Sequence, residues 1–388
     1  MQSPRPSATD HDPTRTTIPP EVFVNPLRGP MPETWPVDRS PREFHRALPG
    51  YAPTPLWRST ALADRLGVAS VVVKDESSRF GLPAFKMLGA SWAVYRTVAE
   101  YAGVDLDSRR SLDDLRRHAP RLPRRLTTAT DGNHGRAVAR LAASLGIAAE
   151  IWVPHDMSPA RISDIADEGA EVHVVDGPYD LAVTTAAASA ADDVLVVSDT
   201  AWEGYTQVPR WVVDGYSTIF DEIDGQLTEH GWQRPTVIPL QIGVGGMATA
   251  AIRHIRRTDV SARLIGVEPT EAACTLAALR AGEVVTIDGE FRTEMVGLNC
   301  GTASPIAYPY LAAGLDATVT IDDGWAEMAM RLLAAEGHEV GASGASALGG
   351  LLALADHPAD DLLRPTDHVL VITTEGVTDR EHFERVTS

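Results

Sequence analysis

Apolar and polar positions alternate along the chain in a way that predicts strands and helices in turn. Residues 70–74 (SVVVK) form a β-branched run typical of a buried strand, and residues 87–102 carry apolar side chains at helical spacing. Further strands are predicted at 126–130, 148–153, 171–175, 194–197, 236–242, 263–268 and 368–373, and further helices at 134–145, 159–168, 179–191, 208–227, 247–257, 324–335 and 345–354. Such alternation is typical of parallel strands covered on both faces, so it predicts a doubly wound α/β fold.

Two segments interrupt this alternation. Residues 1–45 are rich in Pro, Arg and Thr without any period, and they predict an N-terminal arm that is either mobile or wrapped over a neighbouring surface. Residues 105–125 are charged and rich in Arg, and they predict a surface excursion. The N-terminal segment has no apolar core, so we expect no secretory signal. No apolar run approaches the roughly 18 residues that a transmembrane helix needs.

The charge balance narrows the class of partner. Lys and Arg total 34 against 53 Asp and Glu, which gives the 388-residue chain a formal net charge of −19. Such an excess of acid argues against nucleic acid and against an anionic membrane surface, because both attract basic proteins. The two cysteines, Cys274 and Cys300, are too few for a disulfide scaffold and favour a reducing cytoplasm, with a single bridge between them left open.

Lysine is almost absent from the chain. Lys74 and Lys86 stand against 32 arginines. Arginine replaces lysine as a surface cation but not where a neutral amine is needed, because guanidinium keeps its proton. The two lysines therefore either perform chemistry specific to lysine or survive by chance.

Lys86 has the local context that such chemistry needs. It lies between a loop and a predicted helix, in the apolar run PAFKMLGA. Desolvation and a helix N-terminus would both lower the pKa of this amine, as an imine-forming lysine requires. The alternative is an ordinary helix lysine whose stem lies along apolar surface.

A glycine-rich loop lies between a predicted strand and a predicted helix. It comprises Gly243, Val244, Gly245, Gly246 and Met247. Glycines here allow backbone N–H groups to surround an anion at a helix N-terminus, which predicts a phosphate site, whereas a plain tight turn is the alternative. The string also fits the dinucleotide fingerprint GxGxxA, and Glu268 ends the next predicted strand. An NAD-dependent oxidoreductase therefore stays open as a rival class.

Polar residues follow three other predicted strands. Asp131 and Asn133 come after one of them, Asp199 after another, and Thr373 and Thr374 at the end of the last. Carboxylates, an amide and a hydroxyl at carboxyl strand ends suit a small cofactor and its substrate, whereas helix caps and solvated turns are the alternatives. The histidines show no metal-ligand spacing and no nucleophile elbow is present, so we expect no metal and no serine nucleophile.

Taken together, these segments resemble the fold-type II pyridoxal-phosphate enzymes, and among them the 2,3-diaminopropionate ammonia-lyases. The resemblance runs from about residue 74 to residue 386 and includes KDESSRFGLPAFKMLGA, TTATDGNHGRAVA, VVSDTAWEGYTQVPRWVVDGYSTI, QIGVGGMA, GVEP, GLNCG and VLVITTEGVTD. TDGNHGR and DTAWEGY are distinctive, while the glycine loop is shared across the superfamily. The resemblance implies two doubly wound parallel-sheet domains with the cofactor in the cleft between them.

The resemblance also implies how the cofactor, pyridoxal 5'-phosphate, would be held. Lys86 would bind it as an imine, and the backbone of the glycine loop would bind its phosphate. Asn133 would contact the ring hydroxyl, and Thr373 or else Thr374 would meet the ring nitrogen.

The implied reaction is α,β-elimination of 2,3-diaminopropionate to pyruvate and two ammonia. Asp131 and Asp199 would face the substrate, with Asp131 as the base when the opposite Cα enantiomer is bound. The family's CGEP and ESGA motifs lose an acid each, at Thr302 and Ala342, which puts the substrate in question. Another pyridoxal-phosphate lyase or β-replacement enzyme, similar to serine or threonine dehydratase, is therefore the nearest alternative. A cofactor-binding regulatory protein without turnover is a third class.

The resemblance divides the chain and implies its assembly. Residues 46–87 and 206–388 would form a large cofactor-binding domain, and residues 88–205 a small mobile domain. A homodimer acting on a small amino acid is implied.

Overall fold

The computed structural model describes residues 17–33, 35–36, 38, 40–105, 111–258, 261–289, 291–357, 359 and 361–388. Residues 1–16, 34, 37 and 39 of the predicted arm and 106–110 of the predicted surface excursion lie outside the described residues.

The strands follow the predicted order along the chain. They are β1 (Glu21–Val24), β2 (Leu56–Ser59), β3 (Ser70–Asp75), β4 (Arg125–Ala129), β5 (Ala148–Val153), β6 (Glu171–Val174), β7 (Val194–Val196), β8 (Val237–Gln241), β9 (Arg263–Pro269), β10 (Ala317–Ile321) and β11 (His368–Thr373). Every predicted strand is present to within about one residue at either end. β1, β2 and β10 were not predicted.

Helices connect these strands. They are α1 (Ser40–Ala47), α2 (Thr60–Leu66), α3 (Lys86–Ala102), α4 (Leu112–Arg116), α5 (Asn133–Leu145), α6 (Pro159–Ala166), α7 (Tyr179–Ala188), α8 (Gln207–His230), α9 (Gly246–Arg257), α10 (Cys274–Ala281), α11 (Tyr308–Gly314), α12 (Asp323–Ala335), α13 (Ala342–Asp356) and α14 (Arg380–Thr387). Within the described part of the chain, none of them combines the length and apolar character that crossing a lipid bilayer requires.

The strands form two sheets. The larger has the order β1-β10-β9-β8-β11-β3-β2, with β1 and β2 antiparallel to their neighbours at the two edges and the strands between them parallel. The smaller, β6-β5-β4-β7, is parallel throughout. The predicted doubly wound α/β class with parallel sheets is confirmed, and the two antiparallel strands, β1 and β2, are edge strands that were not predicted.

Helices cover both faces of the larger sheet, and this explains the uninterrupted valines of β3. Val72 belongs to a core formed with α3, α8 and α9, while Val71 and Val73 belong to a second core formed with α12 and α13. Successive side chains of a strand point to opposite faces, so a strand between two helical layers needs apolar residues at every position.

The described part of the N-terminal arm is wrapped over the larger sheet. β1 pairs with β10 along its length. The indole N–H of Trp325 donates to the Ile18 carbonyl at 2.9 Å. The Asn25 side chain donates to the carbonyls of Ala312 and Leu315 at 2.7 and 2.8 Å. Of the two alternatives for the arm, its described part matches wrapping over a neighbouring surface.

Lys74 lies in a buried network of ion pairs. Its Nζ is 2.7 Å from Glu222 Oε2 and donates to the Thr54 carbonyl at 2.9 Å. Arg79 binds the same Glu222 carboxylate at 2.8 Å and Glu76 at 2.5 Å. All four charged side chains are almost fully buried, with two cations balancing two anions. The persistence of Lys74 is thus explained by the core.

Removal of the Lys74 charge will destabilise the fold, because it leaves a buried carboxylate short of one cation. We expect Lys74→Met to lower the free energy of unfolding by about 3–5 kcal/mol, measured by urea denaturation. Arg65→Met is the control, since it removes a half-exposed ion pair with Asp356 at 2.8 Å and should cost less than about 1 kcal/mol. Equal losses in the two variants would contradict a structural role for Lys74.

Candidate active site

A cavity of about 740 Å³, its open mouth included, is lined by residues that follow strands of both sheets. Parallel strands end at the same edge of a sheet, which brings the loops after β4, β7, β8 and β11 together. All of the predicted site residues except Thr373 line this cavity. The residues predicted from separate segments of the sequence therefore lie around one cavity.

The glycine loop forms one wall of the cavity, between β8 and α9. A Cβ added at Gly243 would lie 3.1 Å from the Gly297 carbonyl oxygen, and one added at Gly245 would lie 2.8 Å from Leu311 Cδ1. Gly245 also has φ +97°, a conformation that favours glycine. Side chains are thus excluded here, and the N-terminus of the 12-residue helix α9 is left open to bind an anion.

Lys86 is the first residue of α3 and reaches into the same cavity. Its Nζ lies 2.7 Å from Asp199 Oδ2, and its side chain is 18 % exposed. Burial alone would lower the pKa of this amine, but the charge of Asp199, together with Tyr216 and Asp131, holds it well above its usual range. The predicted lowering of the Lys86 pKa is therefore wrong for the chain without cofactor, because a carboxylate distant in sequence pairs with the amine.

The two predicted carboxylates have different environments. Burial would raise the pKa of Asp199, yet Lys86 and His134 beside it hold that pKa at about 2. Burial raises the pKa of Asp131, and the attraction of Lys86 offsets this only in part. The same cavity thus holds Asp199, which stays ionised, and Asp131, which takes up a proton more readily. Pairs of carboxylates whose pKa values differ in this way can divide the roles of acid and base.

Asn133 begins α5 and faces a carboxylate from the other sheet. Its amide donates to Glu375 Oε2, and Glu375 also accepts from the hydroxyl of Thr378 at 3.4 Å. Burial raises the pKa of Glu375. Sequence reasoning treated Thr373–Thr374–Glu375–Gly376 as a hydroxyl followed by a turn and missed this buried acid.

Thr374, rather than Thr373, lines the cavity. The Thr373 hydroxyl donates to Asp75 Oδ1 at 3.1 Å, on the neighbouring strand β3. Thr374 follows directly and its hydroxyl accepts from the Gln241 side chain at 2.8 Å. The preference for Thr373 is corrected because successive residues at a strand end point in opposite directions.

Tyr216 of α8 is a cavity residue that the sequence did not indicate. Its ring lies over Gly89, where an added Cβ would come within 2.5 Å of Cε1. The Tyr216 hydroxyl is buried and has no hydrogen-bond partner among the described residues. Tyr179 and Cys300 also line the cavity and were likewise not singled out. Gly89 in KMLGA was the available signal, since it clears space for a ring.

Glu268, on which the oxidoreductase alternative depended, does not line the cavity. Its carboxylate accepts from the backbone N–H groups of Thr275 at 2.7 Å and Leu276 at 2.9 Å, at the start of α10. Burial raises its pKa to about 7. The acid that would bind a ribose in a dinucleotide enzyme caps a helix here. Cys274 and Cys300, the pair left open, are both buried and unbonded.

Comparison with known proteins identifies the class. A sequence profile of the family described as "Pyridoxal-phosphate dependent enzyme" matches residues 47–375. This span includes Lys86, the glycine loop and the cavity carboxylates Asp131, Asp199 and Glu375.

Individual relatives narrow the class. The diaminopropionate ammonia-lyase of Escherichia coli K12 is 38% identical over 361 residues, which is 89% of each chain, and that of Salmonella typhimurium LT2 is 36% identical over 365 residues, 88% of this chain and 90% of the other. The crystal structure of the E. coli enzyme in complex with D-serine has a TM-score of 0.87 at 35% identity and covers 95% of this chain and 96% of that one. The chain therefore belongs to the diaminopropionate ammonia-lyase family of pyridoxal-phosphate-dependent enzymes.

The residues of the cavity fit this cofactor. Close packing at Gly243 and Gly245 lets the backbone of the glycine loop border the cavity at the N-terminus of α9, and the Lys86 amine faces the same space. Asn133 and Thr374 offer a side-chain amide and a hydroxyl. The unpartnered Tyr216 hydroxyl is a further buried polar group that a ligand can satisfy. Pyridoxal phosphate is thus the cofactor, and the NAD-dependent alternative is excluded.

The cap formed by Glu268 makes stability depend on pH. Its carboxyl stays protonated in the folded chain up to about pH 7 but ionises from its ordinary value of 4.5 when unfolded. Its contribution to stability is therefore complete below about pH 4.5 and is lost as pH rises through 7.

We expect Glu268→Gln to flatten the fall in unfolding free energy between pH 5 and 8, by at most about 1.4 kcal/mol per pH unit. Chemical denaturation at each pH measures it, with the exposed Glu100→Gln as control. An unchanged slope in Glu268→Gln would show that this carboxyl has an ordinary pKa.

Proposed function

We propose that the chain eliminates ammonia from 2,3-diaminopropionate and yields pyruvate and a second ammonia. The observation that carries the proposal is the Lys86 amine, which shares one cavity with the glycine cradle and lies 2.7 Å from Asp199. Membership of the diaminopropionate ammonia-lyase family supports the choice of reaction.

Cavity residues from both sheets would hold the cofactor. We assign Lys86 to its covalent attachment, the backbone of residues 243–247 to its phosphate, Asn133 to its ring hydroxyl and Thr374 to its ring nitrogen. When bound, pyridoxal phosphate supplies an aldehyde that condenses with amines and a conjugated ring that takes up the electron pair left at Cα. A hydroxyl at the ring nitrogen would leave the ring less electron-withdrawing than a carboxylate partner would, which favours prompt loss of the β-substituent over a long-lived carbanion.

Lys86 and Asp199 would handle the Cα proton. Once the substrate amine has replaced it, the Lys86 amine is free to take that proton as a base. Asp199, with a pKa of about 2, remains ionised and stabilises the ammonium that Lys86 then becomes. The 2.7 Å contact between the two supports this pairing.

Asp131 would select the leaving group. A buried carboxylate pairs with the β-ammonium of diaminopropionate and keeps that group protonated, so it leaves as neutral ammonia. The released enamine then reacts with water to give pyruvate and the second ammonia. With a substrate of the opposite Cα configuration, we assign Asp131 the role of base.

We propose that residues 88–205 move relative to residues 46–87 and 206–388. Lys86, the glycine loop and Thr374 come from elements of the larger sheet, while Asp131 and Asp199 follow strands of the smaller one. Polar contacts such as Arg161 Nη2 to Thr378 Oγ1, at 2.8 Å, join the two sides. Since α3 of the moving segment shares one apolar core with α8 of the other, the proposed movement would pivot about that packing while the polar contacts at the cavity break and form.

Assembly and location follow from the resemblance. We propose a homodimer that acts on a small amino acid in the cytoplasm. The two unbonded cysteines are consistent with a reducing compartment. Sedimentation of the purified protein tests the dimer.

A second candidate is a related lyase that acts on serine or threonine. Thr302 and Ala342 stand where the family pattern has acids, and the Thr302 hydroxyl bonds to that of Thr286 at 2.9 Å. L-threonine dehydratase from Mycobacterium bovis is 27% identical over 355 residues, 89% of this chain and 72% of that protein. The loss of two acids from the family pattern would weaken the preference for a diamine.

Lys86 variants test the proposed attachment. We expect Lys86→Ala to lose both elimination activity and the visible absorbance of the bound cofactor. Lys86→Arg should behave alike, because guanidinium keeps its proton and cannot condense with an aldehyde. A yellow, active Lys86→Ala enzyme would refute the assignment of Lys86.

Asp131→Asn tests how the substrate is selected. Steady-state assays with diaminopropionate, serine and threonine should show that the unaltered enzyme prefers diaminopropionate, since an uncharged side chain leaves a buried acid unpaired. The variant should lower kcat/KM for diaminopropionate at least tenfold relative to serine. A ratio that favours serine in the unaltered enzyme would instead support the second candidate.

A further inference from the structure

Gln241, the last residue of β8, connects three elements around the cavity. Its Nε2 lies 2.9 Å from the Ile372 carbonyl oxygen of β11, 3.3 Å from that of Gly344 in α13, and 2.8 Å from Thr374 Oγ1. Gln241 is 4% exposed, and both it and Thr374 line the cavity. The amide is therefore a fixed part of the wall next to the Thr374 hydroxyl.

The surroundings determine which way the Gln241 amide faces. Carbonyl oxygens only accept hydrogen bonds, so the side facing Ile372 and Gly344 must be the NH2 group. A reversed amide would place its own oxygen against two carbonyl oxygens. The Gln241 Oε1 atom has no hydrogen-bond partner among the described residues, so all the hydrogen bonds of this side chain are donated by its NH2 group.

This orientation fixes the polarity of the Thr374 hydroxyl. Because the amide donates into Oγ1, the hydrogen of the hydroxyl must point elsewhere. In the described part of the chain, Oγ1 has no other hydrogen-bond partner, and the residue borders the cavity. Thr374 thus has a hydrogen available to donate to a ligand.

We propose that Gln241 is a positioning residue that fixes the Thr374 hydroxyl as a hydrogen-bond donor to the cofactor's ring nitrogen. The proposal rests on the assignment of Thr374 to that nitrogen in the proposed function. A donor hydroxyl pairs with an unprotonated nitrogen, whereas a protonated nitrogen could use only the one lone pair of Oγ1 that the Gln241 amide leaves free. Gln241 would therefore favour the unprotonated form of the cofactor's ring nitrogen through the Thr374 hydroxyl.

The test compares pyridoxal phosphate with its 1-deaza analogue, in which C–H replaces the ring nitrogen. Dissociation constants of both are measured by fluorescence titration of the apoenzyme for the unaltered chain, Thr374→Val and Gln241→Met. We expect each variant to bind pyridoxal phosphate about five- to tenfold more weakly, as the loss of one neutral hydrogen bond predicts. Affinity for the deaza analogue should not change, because it lacks the acceptor.

Gln241→Leu provides a second variant of nearly equal size. Its side chain has no hydrogen to donate to the Thr374 hydroxyl, so the same selective loss is expected. Exposed Gln233→Met serves as the control and should leave both constants unchanged.

Each other outcome overturns a defined part of the account. If the Gln241 variants weaken both ligands equally, or neither, Gln241 does not act through the ring nitrogen. If Thr374→Val leaves the ratio of the two constants unchanged, the assignment of Thr374 fails as well. If only Thr374→Val changes the ratio, that assignment stands and the role of Gln241 is refuted.

Discussion

The site depends on an amine that is taken largely out of water at the junction of two sheets. An ammonium in that position is costly unless an opposite charge lies beside it, and Asp199 lies 2.7 Å from Lys86. Lys74 is buried even more completely, but Glu222 and its neighbours enclose it on every side. Burial alone therefore does not distinguish Lys86, which we assign to the cofactor, from Lys74 in the core. The difference lies in the open cavity beside Lys86, which gives a ligand room to reach the amine.

The architecture explains how distant residues surround that amine. Parallel strands end at one edge of each sheet, so loops after four strands converge although they are far apart in sequence. Tight backbone approach then shapes the space, as at Gly243 and Gly245, where no side chain fits. Because residues that follow strands of both sheets line the cavity, any movement of one sheet relative to the other changes the distances from Asp131 and Asp199 to Lys86. Such an arrangement suits an active site that closes to exclude water during the reaction and opens to exchange substrate and product.

The sequence predicts what is local and periodic, and it fails where distant parts of the chain meet. The strands at 148–153 and 368–373 were predicted to the residue, while β1 and β2 were missed although the predicted strands β6 and β7 are no longer than they are. The pKa of Lys86 was predicted in the wrong direction because its partner Asp199 lies 113 residues away. The same holds for Tyr216 and Glu375, whose places in the cavity follow from tertiary packing alone. Lysine scarcity singled out Lys74 and Lys86 equally and could not show that Lys74 lies in a buried ion-pair network.

The central claim is that the amine at position 86 carries the cofactor, and a chain with two lysines allows a direct test. Borohydride reduction of the holoenzyme fixes the cofactor to the nitrogen that holds it, and mass spectrometry of the proteolytic peptides locates the label. The account predicts a pyridoxyl phosphate adduct on the peptide that contains Lys86 and none on the peptide that contains Lys74. A label on Lys74, or an unlabelled chain recovered from active, coloured enzyme, would contradict it.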